Sequence, residues 1–358
     1  MSMSKNITIV AGARPNFVKV APLMRAFEHA QPTQCTLVYA GRADDPTLEP
    51  SLFDDLQMRR PDVFLGVDSQ SLNEITSSVM AAFDHYLDSH PTDVVIVVDD
   101  LASTMAAAIV TKKRGVRLAH LVAGTRSFDI TMPKEINRLV IDALSDYLFT
   151  AGIKSNSVAT REQGDLGQTY MVGNILMDTL RFNHARLRRP ALDIELDQYL
   201  VLTLNRKALL ADEARLGQLL QTMIQTAGPM PIVAPLRGAA RDVVTRLTAT
   251  VQCPTFHVLP SLSYLEFGWL AAHAYGIMTD SGNVAEEATF NGVPCITLNS
   301  YTEHQETVTV GTNVLVGGEP ALLAQSLDQM VRGQWKHSAL PDRWDGRTAE
   351  RIVQILLS

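Results

Sequence analysis

Short runs of β-branched and other apolar residues alternate with longer amphipathic stretches along the whole chain, and the alternation starts afresh midway. Runs at 7–10, 35–39, 94–98, 118–122, 147–149 and 170–172 read as strands, with helical patterns at 15–28, 72–87, 103–113 and 133–146. Past Gly173 come strands at 199–204, 232–234, 255–259, 276–279 and 295–298, helices at 211–226, 264–273, 284–291 and 322–332, and a final helix at 348–357. Strands separated by helix-length segments cannot close as tight hairpins; they pair in parallel, and the crossover helices cover both sheet faces. A chain of 358 residues is long for a single core. Two such series therefore predict an α/β protein of two doubly wound, Rossmann-like domains, with a crevice between their strand C-terminal ends. The join is expected at Gly173-Asn174, giving an N-terminal domain over 1–172 and a C-terminal one over 173–345, with 346–358 able to pack back on the first.

Charge narrows the partners. The net charge is −7 and no Lys/Arg run stands out, so neither nucleic acid nor an anionic membrane is expected; a bound anion must be held by local groups. No apolar run is long enough to span a bilayer, and the opening Met-Ser-Met-Ser-Lys-Asn has no signal-like stretch. Cys35, Cys253 and Cys295 are scattered and odd in number, which gives neither a disulfide framework nor a zinc site. They read as small core residues in a cytoplasmic protein. The nine histidines show no HxxxH or mixed ligand cluster, so no metal is expected. The first βα turn, Ala11-Gly12-Ala13-Arg14-Pro15, is not GxGxxG, which disfavours NAD; no cofactor is expected.

Two segments carry candidate chemistry. Met278 to Ala288 reads as a strand end, a Gly-containing turn and a helix start, where Asp280 or Ser281 can serve as N-cap. The backbone N–H groups at that positive helix end suit a pyrophosphate, and Glu287 can accept hydrogen bonds from ribose hydroxyls. The same residues also describe an ordinary capped helix with a solvated acidic face. In the first turn, Arg14 and Lys19 stand one helical turn apart and can face a phosphate, or be exposed basic residues near a loop.

Several segments, in order along nearly the whole chain, resemble the non-hydrolysing UDP-N-acetylglucosamine 2-epimerases, whose two domains have the glycosyltransferase type B architecture. Gly12-Ala13-Arg14-Pro15 with Lys19 and Ala21-Pro22-Leu23 resembles GTRPE…K.APL; Asp100 with Ser103-Thr104-Met105-Ala106 resembles GDTTSTMA; and His120 to Arg126 resembles HVEAGLR. Pro133 to Arg138 resembles PEEINR, Val172-Gly173-Asn174 resembles VGN, Leu265–Leu270 resembles LPFVWL, Thr279–Ala288 resembles TDSGGIQEEA, and Thr302-Glu303 with Glu306 falls within TTERPE. The resemblance implies a UDP-sugar as ligand and a possible homodimer. It puts Arg14, Lys19 and Arg138 on the sugar and diphosphate side, Ser281, Gly282 and the N–H of Asn283 around phosphate, Glu287 on the ribose and Phe267 against uracil. Phe267 and Trp269 also fit as core residues of an amphipathic helix.

The departures fall on the chemistry. The family is thought to remove the C2 proton while UDP leaves C1, then to add UDP back after reprotonation from the other face. That needs carboxylates as acid and base, with donors for the departing diphosphate. Asp100 keeps the family's Asp. The Glu of HVEAG is Val122, the first Glu of PEE is Lys134, the His of GHRRE is Asn205, the His of PVH is Arg237 and the Arg of TTERPE is His304. GQH, tied in the family to regulatory binding of a second UDP-GlcNAc, reads Gly41-Arg42-Ala43. A carboxylate lost from an acid–base pair costs ~10²–10⁴ in rate. Glu135, next to the lost Glu, is the candidate catalytic replacement beside Asp100; Asp99 and Asp129 are nearby alternatives. Lys134 can serve as a base if burial depresses its pKa, or as a phosphate-binding cation. Asp100 also fits as a helix N-cap. The expected activity is a divergent epimerase or a related elimination, hydrolysis or transfer on a UDP-amino sugar. A non-catalytic UDP-sugar sensor and a glycosyltransferase on the same fold stand as alternatives.

Overall fold

The computed structural model describes residues 5–30, 33–163, 167–192, 194, 197–249, 251 and 253–358. The chain divides into two compact units: Met1–Phe182 with Asp342–Ser358, and Asn183–Pro341.

Unit 1 runs β1 (Lys5–Ala11), α1 (Asn16–His29), β2 (Thr33–Tyr39), α2 (Pro50–Leu56), β3 (Val63–Phe64), α3 (Leu72–Ser89), β4 (Val94–Val98) and α4 (Ala102–Lys113). It continues through β5 (Arg117–Ala123), α5 (Pro133–Leu144), β6 (Tyr147–Thr150), α6 (Ile153–Gln163), β7 (Gln168–Met171) and α7 (Ile175–Asn183), the last ending at the unit boundary. Its sheet has the order β3-β2-β1-β4-β5-β6-β7, parallel throughout. Every residue of β4, Val-Val-Ile-Val-Val, is buried, as a central strand covered on both faces requires. Ala106, Ala107 and Ala108 of α4 are fully buried in the cluster that holds Val95, Val97 and Phe83, so small side chains let this helix lie close on the sheet.

Unit 2 repeats the plan with β8 (Leu200–Thr203), α8 (Lys207–Ala211), α9 (Glu213–Ala227), β9 (Ile232–Pro235), α10 (Gly238–Thr248), β10 (Phe256–Leu259) and α11 (Tyr264–Ala272). Then come β11 (Gly276–Thr279), α12 (Gly282–Asn291), β12 (Cys295–Thr297), α13 (Glu306–Thr309), β13 (Asn313–Leu315) and α14 (Pro320–Val331). Its parallel sheet has the order β10-β9-β8-β11-β12-β13. The period of two divides β8 between faces: Leu200 and Leu202 pack with Leu216, Leu220 and Met223, while Val201 packs with Leu270, Ala285 and Ala288. Two doubly wound units in one chain are the make-up of the glycosyltransferase type B class.

In both sheets the first strand is central and successive strands are added outward, first to one side and then to the other. The direction reverses between β1 and β4 and between β8 and β11. Connections diverge there and leave a fork beyond the strand C-terminal ends, where ligands of such folds settle.

After unit 2 the chain returns to unit 1. Trp344, fully buried, donates its indole N–H to the Ala151 carbonyl at 3.0 Å. The N-terminus of α15 (Thr348–Leu357) is capped by Asp178, whose carboxylate accepts from Thr348 N at 3.0 Å and Ala349 N at 2.8 Å. Of the cysteines only Cys295 is a core residue; Cys35 and Cys253 are half-buried, a correction to their expected placement. Among the described residues no helix is long and apolar enough to cross a membrane.

Candidate functional site

At the β1/β4 fork the first turn is pinned from three sides. A Cβ on Gly12 would lie 2.1 Å from Ser103 Oγ, so only glycine lets this turn pass the start of α4. Asn16 Oδ1 accepts from Gly12 N at 2.8 Å and Ala13 N at 3.1 Å, and its amide donates to Asp99 Oδ2 at 2.8 Å. Lys19 Nζ lies 2.6 Å from Asp99 Oδ1, both side chains largely buried. Asp99 itself sits at φ +60°, and His120 Nε2 lies 3.1 Å from its carbonyl oxygen. Lys19, expected to face phosphate, thus neutralises Asp99, while Arg14 is half-buried in the same turn.

Asp100 follows directly. The N-cap of α4 is Leu101, so Asp100 lies one residue too early to cap and points elsewhere. Arg138 grips its Oδ2 through Nε at 2.7 Å and Nη2 at 2.6 Å, and Lys134 Nζ is 3.3 Å from Oδ1. The two cations are four residues apart on α5, one above the other on the same helical face. Burial pushes the Asp100 carboxyl up, but Lys134, Arg138 and Lys19 outweigh it and hold the group below its ordinary value.

Glu135 is also enclosed. Its Oε2 accepts from Ser127 N and Oγ, both at 2.9 Å, and from Arg138 Nη1 at 3.0 Å; its Oε1 accepts from Phe128 N at 3.0 Å. Burial again raises this carboxyl and the donors more than reverse it, leaving an ionised anchor for the 127–128 loop. Asp129 sits in the same loop, where its Oδ1 accepts from Thr131 N and Oγ1, and those bonds lower its pKa. The position of the family's Glu is conformationally unusual. Val122 is bulged out of the β5–β6 pairing, between Leu121 and Ala123, with φ +73°. A β-branched side chain pays about 1–3 kcal/mol for that left-handed conformation.

The β8/β11 fork is built with fewer charges. Asp280, 1% exposed, accepts at both oxygens from Asn205 N (3.0 and 2.9 Å) and at Oδ2 from Arg206 N at 2.8 Å. Its carbonyl accepts from Arg206 Nε and the Asn299 amide, each at 3.1 Å. Asp280 therefore locks the loop after β8 to the end of β11 and does not cap α12. The N-cap is Ser281, in extended conformation and with no side-chain cap bond, so α12 begins with its amides uncovered by its own cap. Gly282, Asn283 and Val284 open the helix. Glu287, one turn further on, is buried; desolvation and the neighbouring Glu286 push its pKa up to about 8. It is thus protonated at neutral pH, able to donate one hydrogen bond and accept others. Phe267 is half-buried against the cluster that contains Ala285 and Val284, beside the same helix.

Of the other substituted positions, His304 lies in unit 2 with Nδ1 3.0 Å from Glu286 Oε1. Arg237 is the N-cap of α10. Arg42 is exposed and paired with Asp44 at 2.6 Å and Asp68 at 3.4 Å, on the wall of a unit 1 cavity of about 570 Å³ that also exposes Gly12, Tyr39, Asp45 and Ser103. Among the described residues no group of three or more His, Cys, Asp or Glu is arranged to hold a metal. Sequence reasoning passed over Asn16, the bridging part played by Asp280, and the Glu286–His304 pair. Asn16, four residues after a glycine turn, carried a local signal, since Asn side chains accept from nearby turn amides; the other two depend on contacts distant in sequence.

A family model described as UDP-N-acetylglucosamine 2-epimerase matches residues 25–357. A Pseudomonas aeruginosa protein named UDP-2,3-diacetamido-2,3-dideoxy-D-glucuronate 2-epimerase is 31% identical over 325 residues, covering 90% of this chain and 91% of its own. The crystal structure of a Methanocaldococcus jannaschii UDP-GlcNAc 2-epimerase in complex with UDP-GlcNAc and UDP is similar with a TM-score of 0.84 at 29% identity, covering 98% of this chain and 99% of that one. A Neisseria meningitidis UDP-GlcNAc 2-epimerase bound to UDP-GlcNAc has the same fold, with a TM-score of 0.87 at 22% identity and 99% of both chains covered.

Proposed function

The chain belongs to the UDP-N-acetylglucosamine 2-epimerase family, and from that premise we propose that it binds a UDP-amino sugar and acts on it with proton-handling groups unlike the family pattern. The observation that carries the reading is the build of α12: a Ser281 N-cap without a side-chain bond, Gly282 at the first position, and a buried Glu287 five residues along. Amides at a helix N-terminus stabilise a diphosphate without any added cation. In this reading the nucleotide is assigned to unit 2. Ser281, Gly282 and Asn283 hold phosphate, Glu287 exchanges hydrogen bonds with the ribose hydroxyls, and Phe267 lies against uracil. The crystallised relative in complex with UDP-GlcNAc and UDP supports a UDP-sugar as the ligand.

Chemistry is assigned to unit 1. Asp100 is the ionised carboxylate that takes the C2 proton, Lys134 is the cation beside it, and Arg138 orients it through two charge-assisted bonds that converge on Oδ2. Arg14 supplies the positive charge of the first turn, that of Lys19 being balanced by Asp99. A carboxylate held below its ordinary range is a weaker base, so turnover is expected ~10²–10⁴-fold below that of a paired-carboxylate site. The test is to mix the protein in heavy water with UDP-GlcNAc, UDP-ManNAc and a UDP-amino sugar carrying a C6 carboxylate, then follow deuterium at C2 and release of UDP. Exchange or release with any of them supports an enzyme; neither, with all of them, removes the catalytic claim.

One observation favours a second reading, a non-catalytic UDP-sugar-binding subunit. Both oxygens of Glu135 are occupied by loop donors and Arg138, which leaves Asp100 without a second carboxylate to complete an acid–base pair. Calorimetry separates the two, since that reading requires UDP binding with no turnover.

A further inference from the structure

We propose that His304, oriented by Glu286, is a proton-operated clamp on the diphosphate, so that UDP-sugar binding takes up a proton. The inference rests on the assignment of phosphate to the N-terminus of α12. A Cβ placed on Gly282 would lie 3.3 Å from His304 Cδ2 and 3.8 Å from its Nε2, so this edge of the imidazole covers the first residue of the helix. The opposite edge holds Nδ1, 3.0 Å from Glu286 Oε1. Glu286 is 2% exposed and stands one helical turn beyond Gly282, rigid enough to fix the ring plane. The His304 side chain keeps 15% of its surface exposed.

Charge balance gives the direction. With a neutral ring, the pair carries the negative charge of Glu286 beside the phosphate site and opposes an anion. With a protonated ring, the pair is neutral overall and presents Nε2–H to the incoming oxygen. An arginine at this position has no such choice, whereas an imidazole ordinarily titrates near pH 6.5. Glu287 follows Glu286 on α12, Glu303 and Glu306 flank His304 in sequence, and Arg206, from the loop after β8, lies over the Tyr301 ring at 5.6 Å. Glu287, with its raised pKa, adds no charge at neutral pH, while Glu303 and Glu306 are acidic against the cation Arg206, which strengthens the requirement for a proton when a diphosphate arrives.

The experiment is calorimetric titration with UDP-GlcNAc, whose diphosphate has no ionisation near neutral pH, at about pH 6 and about pH 8.5 in buffers of different ionisation heat. Wild-type protein is expected to bind about tenfold more tightly at the lower pH, with net proton uptake. His304→Arg is expected to bind at both pH values without that difference, and His304→Gln to bind weakly at both. Glu287→Gln is expected to keep the pH dependence. Wild-type binding that is flat with pH, or a pH dependence that persists in His304→Gln, overturns the clamp and leaves the nucleotide reading intact. No binding by wild type or His304→Arg at either pH overturns the nucleotide reading itself.

Discussion

The two forks have the same topology but are stabilised differently. At β1/β4 the groups are side chains, and they satisfy one another: Lys19 with Asp99, Arg138 with Asp100 and Glu135, Lys134 with Asp100. At β8/β11 one carboxylate, Asp280, binds backbone amides, and the helix beyond it begins with backbone amides as well. A site made of main chain tolerates substitution, because the amide is present whatever residue carries it. A site made of interlocking side chains changes its chemistry with each replacement. The departures at Val122 and Lys134 fall on the second kind, while the turn proposed to hold the diphosphate is made of main chain.

Four measurements break or sharpen that contrast. The largest effect concerns Glu287. Its folded pKa of about 8 lies above its ordinary value of 4.5, so the stability linked to its proton is fully present below about pH 4.5 and is lost as pH rises through about 8. The loss amounts to about 5 kcal/mol at most. Urea unfolding at about pH 5 and about pH 9 should show the decline in wild type and a much flatter profile in Glu287→Gln.

Arg138→Met comes next, with a cost of about 3–5 kcal/mol, since it removes the cation shared by two enclosed carboxylates, leaving Asp100 with Lys134 and Glu135 with the Ser127 and Phe128 donors. Affinity for UDP is expected to stay within about threefold if nucleotide binding belongs to unit 2, where each such factor is under 1 kcal/mol. A loss above tenfold would break the division of labour. Asp280→Ala reverses the pattern: about 1–3 kcal/mol of stability, because the Asn205 and Arg206 amides lose the buried carboxylate that accepts from them, together with a clear drop in UDP affinity. The smallest effect is a gain. Val122→Gly relieves the left-handed backbone and should stabilise the protein by about 1 kcal/mol, whereas Val122→Ile should not. Equal melting curves for the two variants would remove strain as a description of this bulge.

Much of this was legible in the sequence, but not evenly. The all-apolar run at 94–98 coincides with β4, because a strand buried on both faces has no polar residue to blur its ends. The two-residue β3 and three-residue β13 were missed; a strand that short shows no periodicity. Helix α10 escaped notice because it begins at a glycine and carries charge on its outer face. The sequence offers Asp280 or Ser281 as the cap of α12; Ser281 takes that place, and the Asp280 carboxylate reaches 75 residues back along the chain. No one-letter code marks a valine at φ +73°, or a lysine whose charge is spent on its own neighbour Asp99.

The return of residues 342–358 to unit 1 sets the order of assembly. A ribosome makes all of unit 2 before it makes the helix that Asp178 caps and the tryptophan that fills its side of the first sheet. The unit begun first is therefore completed last, and must wait with one apolar face unmatched while its later neighbour matures. Synthesis stalled after Pro341 should yield a protease-resistant second half joined to a digestible first half.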